Sequence, residues 1–275
     1  MGEKNHLENF SNDKRIKGGV NSTCKLCREV KNLKLSHIVP KWAYKAMKSE
    51  DNGRISGHFP SLMQIRILQD GSKNYLLCGD CEQLLGKGER YLQKLQEGSA
   101  DDREFINVTN QGDYYTGIDY DLVKQFILGL ALKAHYATAP PFHGIQIPIQ
   151  KHISYIRKNI LHENSDDSKM LIYAIRFIST NPSINVKSLV VPFCMLNEDG
   201  VYTFTILMGG WEWVLIIYEN KKTFKNPFYY PSLKRGELSY IPVGNIMDHR
   251  MFTKEFKEKK PLTFKEIAKI QHKYK

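Results

Sequence analysis

Two Cys-x-x-Cys pairs constrain this chain more than any other feature of its 275 residues. The first pair is Cys24 and Cys27, and the second is Cys78 and Cys81. Four thiolates at such spacing are typical of a closed tetrahedral zinc site, which is structural because it keeps no open coordination position. The alternative is a redox dithiol, which needs one pair at a helix N-terminus in a β-α-β context, and we expect neither pair to meet that condition. Cys194 lies in an apolar run and is expected to be a buried small hydrophobic residue.

Positive charge is concentrated near the cysteine motif. The chain has 40 Lys and Arg against 29 Asp and Glu, a formal net charge of +11. Between Lys14 and Lys48, ten basic residues accompany one acidic residue, Glu29. A basic surface of this kind favours a polyanionic partner, most simply DNA, and does not exclude RNA. The alternative is a solvated basic face that aids solubility.

Hydropathy gives no indication of a membrane protein. No apolar run reaches the roughly 18 residues that a membrane span requires. The first 19 residues are polar and mixed in charge, without the apolar core of a secretory signal. We therefore expect a cytoplasmic protein, in whose reducing environment paired cysteines bind metal rather than form disulfides.

Composition and turn residues divide the chain into four segments. Residues 1–20 are expected to form a flexible arm, 21–97 a zinc-binding domain, 98–117 a polar linker and 118–275 an α+β domain with a mainly antiparallel sheet. In the zinc-binding domain, a strand at 63–67 is predicted to pair across an Asp-Gly turn with a strand at 75–77.

The second domain is predicted to contain both helices and strands. A buried helix is expected from residue 121 to 137 and an amphipathic helix near 148–162. Four β-rich runs follow from residue 170, and the turn at 197–200 is expected to join two of them as a hairpin. A short helix is predicted at 263–274.

The residues between and after the cysteine pairs resemble a known family. The shared pattern consists of the first cysteine pair, the run Ser36-His37-Ile38-Val39-Pro40-Lys41, then Tyr44, Lys45, the second cysteine pair and Glu82. Over residues 24–95 this array resembles the HNH endonuclease family, and particularly its bacterial members with the pattern SHI-[IV]-P-K-x-x-Y-K. The resemblance implies a small zinc-stabilised ββα-metal fold and metal-dependent hydrolysis of DNA phosphodiester bonds.

The resemblance also assigns roles to three residues. His37 takes the position of the general base that activates water, a role that suits the pKa of histidine. Glu82 takes the position of the catalytic metal ligand after the last cysteine. Asn74 is the nearest candidate for the asparagine that orients the base. The alternatives are that His37 packs against the cysteine turns and that Asn74 is an ordinary loop residue.

The departures from the family pattern concern the catalytic cation. Ser36 stands where the family has an acid or a histidine, and a hydroxyl is a poor ligand for a hard divalent cation. Glu82 replaces a histidine, although a carboxylate suits Mg²⁺ or Mn²⁺ well. Glu89 follows Glu82 by about two helical turns, which puts both carboxylates on one face and predicts a rebuilt cation site. The alternative is that Glu89 is a solvated helix residue.

These observations predict an HNH-type DNA endonuclease, and the resemblance suggests an effector of bacterial anti-phage or mobile-element systems. Lys34, Lys41 and Lys45 flank the predicted site and are expected to contact the phosphate backbone. The second domain is open to three interpretations: sensing a trigger, forming a homodimer or binding a partner protein. The alternative functions are a catalytically inactive zinc-dependent nucleic-acid-binding module and a scaffold whose zinc unit mediates protein contacts.

Overall fold

The computed structural model describes residues 20–50, 55–59, 64–68, 71–97, 105–108, 112–138, 141–142, 145–161, 166–196, 200–219, 224, 231–237 and 239–248. The arm predicted at 1–20, except for Val20, and the helix predicted at 263–274 lie outside the described residues.

The described chain is a mixed α/β structure. Its strands are β1 (Val20–Thr23), β2 (Val30–His37), β3 (Ile55–Phe59), β4 (Gln64–Leu68), β5 (Lys73–Cys78), β6 (Phe105–Val108), β7 (Gly112–Tyr115), β8 (Met170–Ile178), β9 (Val190–Leu196), β10 (Tyr202–Met208), β11 (Trp211–Ile217) and β12 (Ser239–Asn245). Its helices are α1 (Lys45–Glu50), α2 (Gly79–Glu97), α3 (Tyr120–Tyr136) and α4 (Gln150–Ile160), with short 3-10 helices at Lys41–Tyr44, Val186–Ser188 and Ile246–Asp248. None of these helices is long and apolar enough to cross a membrane.

The first sheet carries both cysteine pairs. Its order is β1-β2-β5, and both pairings are antiparallel. Leu33 in the middle of β2 is the partner of Val20 on one side and of Cys78 on the other. The two Cys-x-x-Cys segments are therefore neighbours, because β2 joins the strand that precedes the first pair to the strand that leads into the second.

The predicted pairing of β4 with β5 is wrong. Both strands form, but β4 pairs with β3, in the register Ile55↔Leu68, and β5 pairs with β2. Gly71, taken in the sequence as a turn residue, lies against the ring of Tyr44, where a Cβ atom would have no room. This glycine permits close packing onto an aromatic ring. The Asp-Gly sequence does not produce the predicted hairpin, because β5 pairs with β2 instead.

Strands between residues 105 and 245 form a seven-stranded sheet, in the order β6-β7-β12-β8-β11-β10-β9. Its pairings are antiparallel except for the parallel pair of β12 and β8, so the sheet is mixed. The predicted hairpin across 197–200 is confirmed, since Leu196 pairs with Tyr202. Gly209 and Gly210, both with positive φ, form the tight turn between β10 and β11.

Strands β6 and β7 come from the segment 98–117, which the sequence predicts as a linker. They lie at one edge of the large sheet, where β7 pairs with β12. The buried Asp113 carboxylate accepts a hydrogen bond of 2.8 Å from Nε of Arg176 on β8. A polar composition is therefore compatible with a strand here, because the buried acid has a cationic partner on another strand of the same sheet.

Helix α3 is the buried helix predicted from residue 121. It begins one residue earlier, after Asp119, whose Oδ1 accepts a hydrogen bond from the backbone N–H of Leu122 at 3.0 Å. The helix packs closely on α2, since a Cβ atom added to Gly88 would lie 2.7 Å from the carbonyl oxygen of Leu122. One buried apolar cluster includes both Leu92 of α2 and Trp213 of β11. The hydrophobic core is therefore continuous across the domain boundary predicted near residue 118.

Candidate metal centre and adjoining polar cluster

The four paired cysteines form one compact cluster. Their Sγ atoms all lie within 4.8 Å of one another, and the Sγ atoms of Cys27 and Cys78 are 3.9 Å apart. A tetrahedral zinc ion with Zn–S bonds of about 2.3 Å requires sulfur atoms about 3.8 Å apart. The cluster therefore has the size and donor set that suit a zinc ion.

The two pairs are presented by different backbone structures. The first lies in the turn between β1 and β2, where the N–H of Arg28 donates to the carbonyl of Cys24 at 3.0 Å and Arg28 has a φ of 69°. In the second pair, Cys78 ends β5 and Cys81 lies in the first turn of α2. The second pair is thus at a helix N-terminus, which is one half of the condition for a redox dithiol. The other half, a β-α-β context, is not met, since β5 and β6, the strands before and after α2, belong to different sheets.

The thiols of this cluster influence each other strongly. A hydrogen bond from Cys81 lowers the pKa of Cys24 to about 4, and the same contact together with burial raises the pKa of Cys81. The backbone N–H of Cys78 also points to the Cys24 sulfur, at 3.4 Å. One thiolate among contacting thiols hinders ionisation of the others, and a divalent cation removes this conflict because it allows all four to ionise.

Next to the cysteines, a polar cluster formed by Lys133, Glu89 and the backbone of His37 joins the first sheet, α2 and α3. Lys133 of α3 donates from Nζ to Oε1 of Glu89 at 2.9 Å and to the carbonyl oxygen of His37 at 3.2 Å. Lys133 is not among the residues predicted from the sequence, and the available signal was the presence of two lysines, Lys124 and Lys133, in the largely apolar segment of α3. Glu82 and Glu89 lie seven residues apart on the continuous helix α2, and the negative charge of Glu89 makes a minor contribution to the raised pKa of Glu82.

The Glu82 carboxyl group is largely withdrawn from solvent. Burial raises its pKa, while the positive charge of Lys133 and a hydrogen bond with Ser36 act in the opposite direction. Its Oε1 atom is buried and has no hydrogen-bond partner among the described residues. Ser36, which replaces the acid of the family pattern, thus contacts the carboxylate of Glu82.

His37 and Asn74 lie on neighbouring strands. His37 is the last residue of β2, and its Nε2 atom is shielded from solvent. Asn74 of β5 pairs with Ser36 in the strand register, yet its side chain is directed to Thr138. Its Nδ2 donates to Thr138 Oγ1 at 3.0 Å, and its Oδ1 accepts from the Thr138 N–H at 3.3 Å.

A cavity of about 530 Å³ adjoins this polar cluster. It lies between the segment 40–48 and α2, and Glu89 belongs both to its lining and to the polar cluster. Its other lining residues include Trp42 and four basic side chains, Lys41, Lys45, Lys48 and Arg90. Of the three lysines predicted to contact a phosphate backbone, Lys41 and Lys45 line the cavity, and Lys34 is exposed on β2 outside its lining.

No family model matches the chain, and no match is found among curated proteins or solved structures. The four-cysteine cluster is the part of the predicted family pattern that the structure bears out.

Proposed function

We propose that the chain is an HNH-type endonuclease that hydrolyses DNA phosphodiester bonds, with a structural zinc ion bound by Cys24, Cys27, Cys78 and Cys81. The observation that carries the proposal is the link made by Lys133, which bonds both the backbone of His37 and the carboxylate of Glu89 beside a basic cavity. Strands β2 and β5 followed by α2 supply the order of a ββα unit.

In this proposal the chemistry is divided among a few side chains. His37 removes a proton from the attacking water, for which an imidazole is suited near neutral pH. Lys41 and Lys45 hold the phosphate backbone in the cavity. Lys133 of α3 holds β2 and α2 in place around the reacting phosphate, because one of its acceptors lies on β2 and the other on α2.

A divalent cation fits one of the two carboxylates better than the other. Glu82 has a buried oxygen without a hydrogen-bond partner in the described part of the chain, whereas Glu89 is bonded to Lys133 at 2.9 Å. Mg²⁺ or Mn²⁺ held by Glu82, with Glu89 as a second donor, would neutralise the charge that develops on phosphorus and on the leaving oxygen.

The test is a plasmid-cleavage assay with the full chain and added Mg²⁺ or Mn²⁺. His37→Ala and Glu82→Ala should both abolish cleavage while retaining zinc and cooperative unfolding. Lys151→Gln, which removes an exposed charge on α4 outside the cavity lining, should cleave like the wild type. Equal cleavage by the wild type and His37→Ala would overturn the assignment.

A second candidate function is a zinc-dependent module that binds nucleic acid without cleaving it. Two observations favour it: Ser36 occupies a position where the family has a metal ligand, and Lys133 is already paired with Glu89. This function predicts tight DNA binding with no cleavage in either cation, and the same affinity for the wild type and His37→Ala.

A further inference from the structure

The cavity beside the polar cluster has the dimensions of a ligand site. Its volume of about 530 Å³ falls within the roughly 300–1,000 Å³ typical of pockets that enclose small molecules or single residues of a polymer. It is formed by a short helical segment on one side and by α2 on the other, so its walls are regular structure.

The charge in this cavity is strongly positive. Lys41, Lys45, Lys48 and Arg90 contribute four cations, and the carboxylate of Glu89 is neutralised by Lys133. Within the described ranges, no ion pair joins Lys41, Lys45 or Arg90 to an acidic side chain. Cations such as Lys41, Lys45 and Arg90, grouped around a concavity, attract an anionic ligand.

An aromatic ring lies among these cations. Trp42 lines the cavity, and part of its ring packs against the β10–β11 turn, where a Cβ atom added to Gly209 would lie 3.4 Å from Cζ3 of the indole. The glycine turn thus contacts one edge of the ring. The amide of Gln93, also in the lining, offers a donor and an acceptor for a planar heterocycle.

We propose that this cavity binds one unpaired nucleotide, with its base stacked on Trp42 and its phosphate among Lys41, Lys45 and Arg90. An indole next to several cations matches the two chemical parts of a nucleotide, since any base has a π-face and every phosphate is an anion. A base within a continuous duplex is stacked on both faces and does not reach such a ring. The preferred ligand is therefore a single strand, or a site with an unpaired base.

The consequence of this inference for the substrate class rests on the proposed function. Glu89 lines the cavity and shares Lys133 with the backbone of His37, so Glu89 and Lys133 link a nucleotide bound here to the strand end that carries the proposed base. The substrate class of the nuclease would then be single-stranded or locally unpaired nucleic acid.

Tryptophan fluorescence provides a direct test. The chain has three tryptophans, and Trp211 and Trp213 are buried at 5% and 0% exposure. The full chain is titrated, without added Mg²⁺ or Mn²⁺, with a 12-nucleotide single strand and with a blunt duplex of the same length. We expect quenching by the single strand, its loss in Trp42→Phe, and about tenfold weaker binding by Trp42→Leu. Quenching that persists in Trp42→Phe would overturn the proposal.

The basic residues supply an independent readout, because Trp42 also contributes to packing. Lys45→Gln and Arg90→Gln alter exposed side chains and should each weaken single-strand binding several-fold, whereas Lys151→Gln should not. Unchanged binding in both cavity variants, tighter binding of the duplex, or equal binding of a poly-glutamate peptide would contradict a nucleotide site.

The same set of proteins separates the two proposals. If His37→Ala binds the single strand like the wild type while neither protein cleaves it, the nucleotide site stands and the nuclease assignment fails. If the wild type cleaves DNA and neither Trp42 variant changes the binding of the single strand or the quenching it causes, the nuclease assignment stands and the nucleotide site fails.

Discussion

Lys133 on helix α3 lies with its Nζ atom 2.9 Å from Oε1 of Glu89 on helix α2. Lys133 is only 4% exposed, so its charge needs compensating acceptors within the protein. The Glu89 carboxylate and the carbonyl oxygen of His37 are two such acceptors. A residue of the predicted α+β domain therefore supports residues of the predicted zinc-binding domain, to which the proposed chemistry is assigned.

Replacing Lys133 by methionine should affect both stability and activity. The apolar stem is retained, but a hydrogen bond between charged groups is lost, which costs about 1.5–3 kcal/mol of unfolding free energy. Cleavage per folded molecule should also fall, because the backbone at His37 loses its contact. Urea denaturation and the plasmid assay measure the two effects.

Lys124 provides a matched control on the same helix. It is 1% exposed, and its Nζ lies 2.9 Å from Oδ1 of Asp167, away from the polar cluster. Lys124→Met should destabilise the protein to a similar extent and leave cleavage per folded molecule unchanged. A loss of cleavage in Lys124→Met alone would contradict the role given to Lys133.

The cysteine cluster predicts specific metal binding. The wild type should retain one zinc ion per chain after gel filtration, and Cys81→Ser should lose it. Because the metal connects the turn after β1 to the start of α2, its loss should lower the unfolding free energy by about 4 kcal/mol or more. Cys194→Ser is the control, since Cys194 on β9 does not belong to the cluster. Metal analysis and thermal denaturation measure the two effects. Zinc retained by Cys81→Ser as well as by Cys194→Ser would contradict the prediction.

What the sequence predicts correctly is local. Cysteine spacing identifies the metal cluster, turn residues identify the β9–β10 hairpin, and the apolar run from residue 121 identifies α3. What it misses depends on partners distant in the chain. Lys133 pairs with Glu89 across 44 positions, and β7 becomes a strand by pairing with β12. Periodicity describes the face of one element and contains no information about which distant element covers it.

Asn74 should have a structural effect rather than a catalytic one, because both polar atoms of its amide are bonded to Thr138. Asn74→Ala is expected to reduce the unfolding free energy by about 1 kcal/mol and to leave cleavage per folded molecule unchanged. Thr138→Ala removes one of the same hydrogen bonds and should give a similar result. A loss of cleavage in Asn74→Ala without one in Thr138→Ala would instead support the role of orienting His37.

Two glycines of α2 should respond in opposite directions to substitution by alanine. At Gly88 a Cβ atom would lie 2.7 Å from the backbone oxygen of Leu122, so Gly88→Ala must separate α2 from α3, at a cost of about 1–3 kcal/mol. At Gly86 the nearest atom is the flexible Arg90 side chain at 3.5 Å, so Gly86→Ala should gain about 0.5–1 kcal/mol of helix propensity. Urea denaturation compares them directly, and a change of the same sign in both would contradict the proposed close packing of the helices.

Stability should decrease as the pH falls below neutrality, and His152 should contribute to this decrease. His152 is 3% exposed, and neither ring nitrogen has a hydrogen-bond partner in the described part of the chain. Burial lowers its pKa below the ordinary 6.5, with a smaller opposing effect from Glu219 and a smaller reinforcing one from Lys169. Burial also lowers the pKa of His135.

The sign of the effect follows from comparing the folded and unfolded states. Above pH 6.5 the imidazole is neutral in both states and pH has no effect through this group. As the pH falls through 6.5, the unfolded chain takes up a proton that folded His152 does not accept, so the unfolded state is favoured. His152→Leu should therefore show a shallower decline of unfolding free energy between pH 7 and pH 5 than the wild type. Urea denaturation across that range measures both slopes, and equal slopes would mean that His152 is protonated in the folded protein as readily as in the unfolded chain.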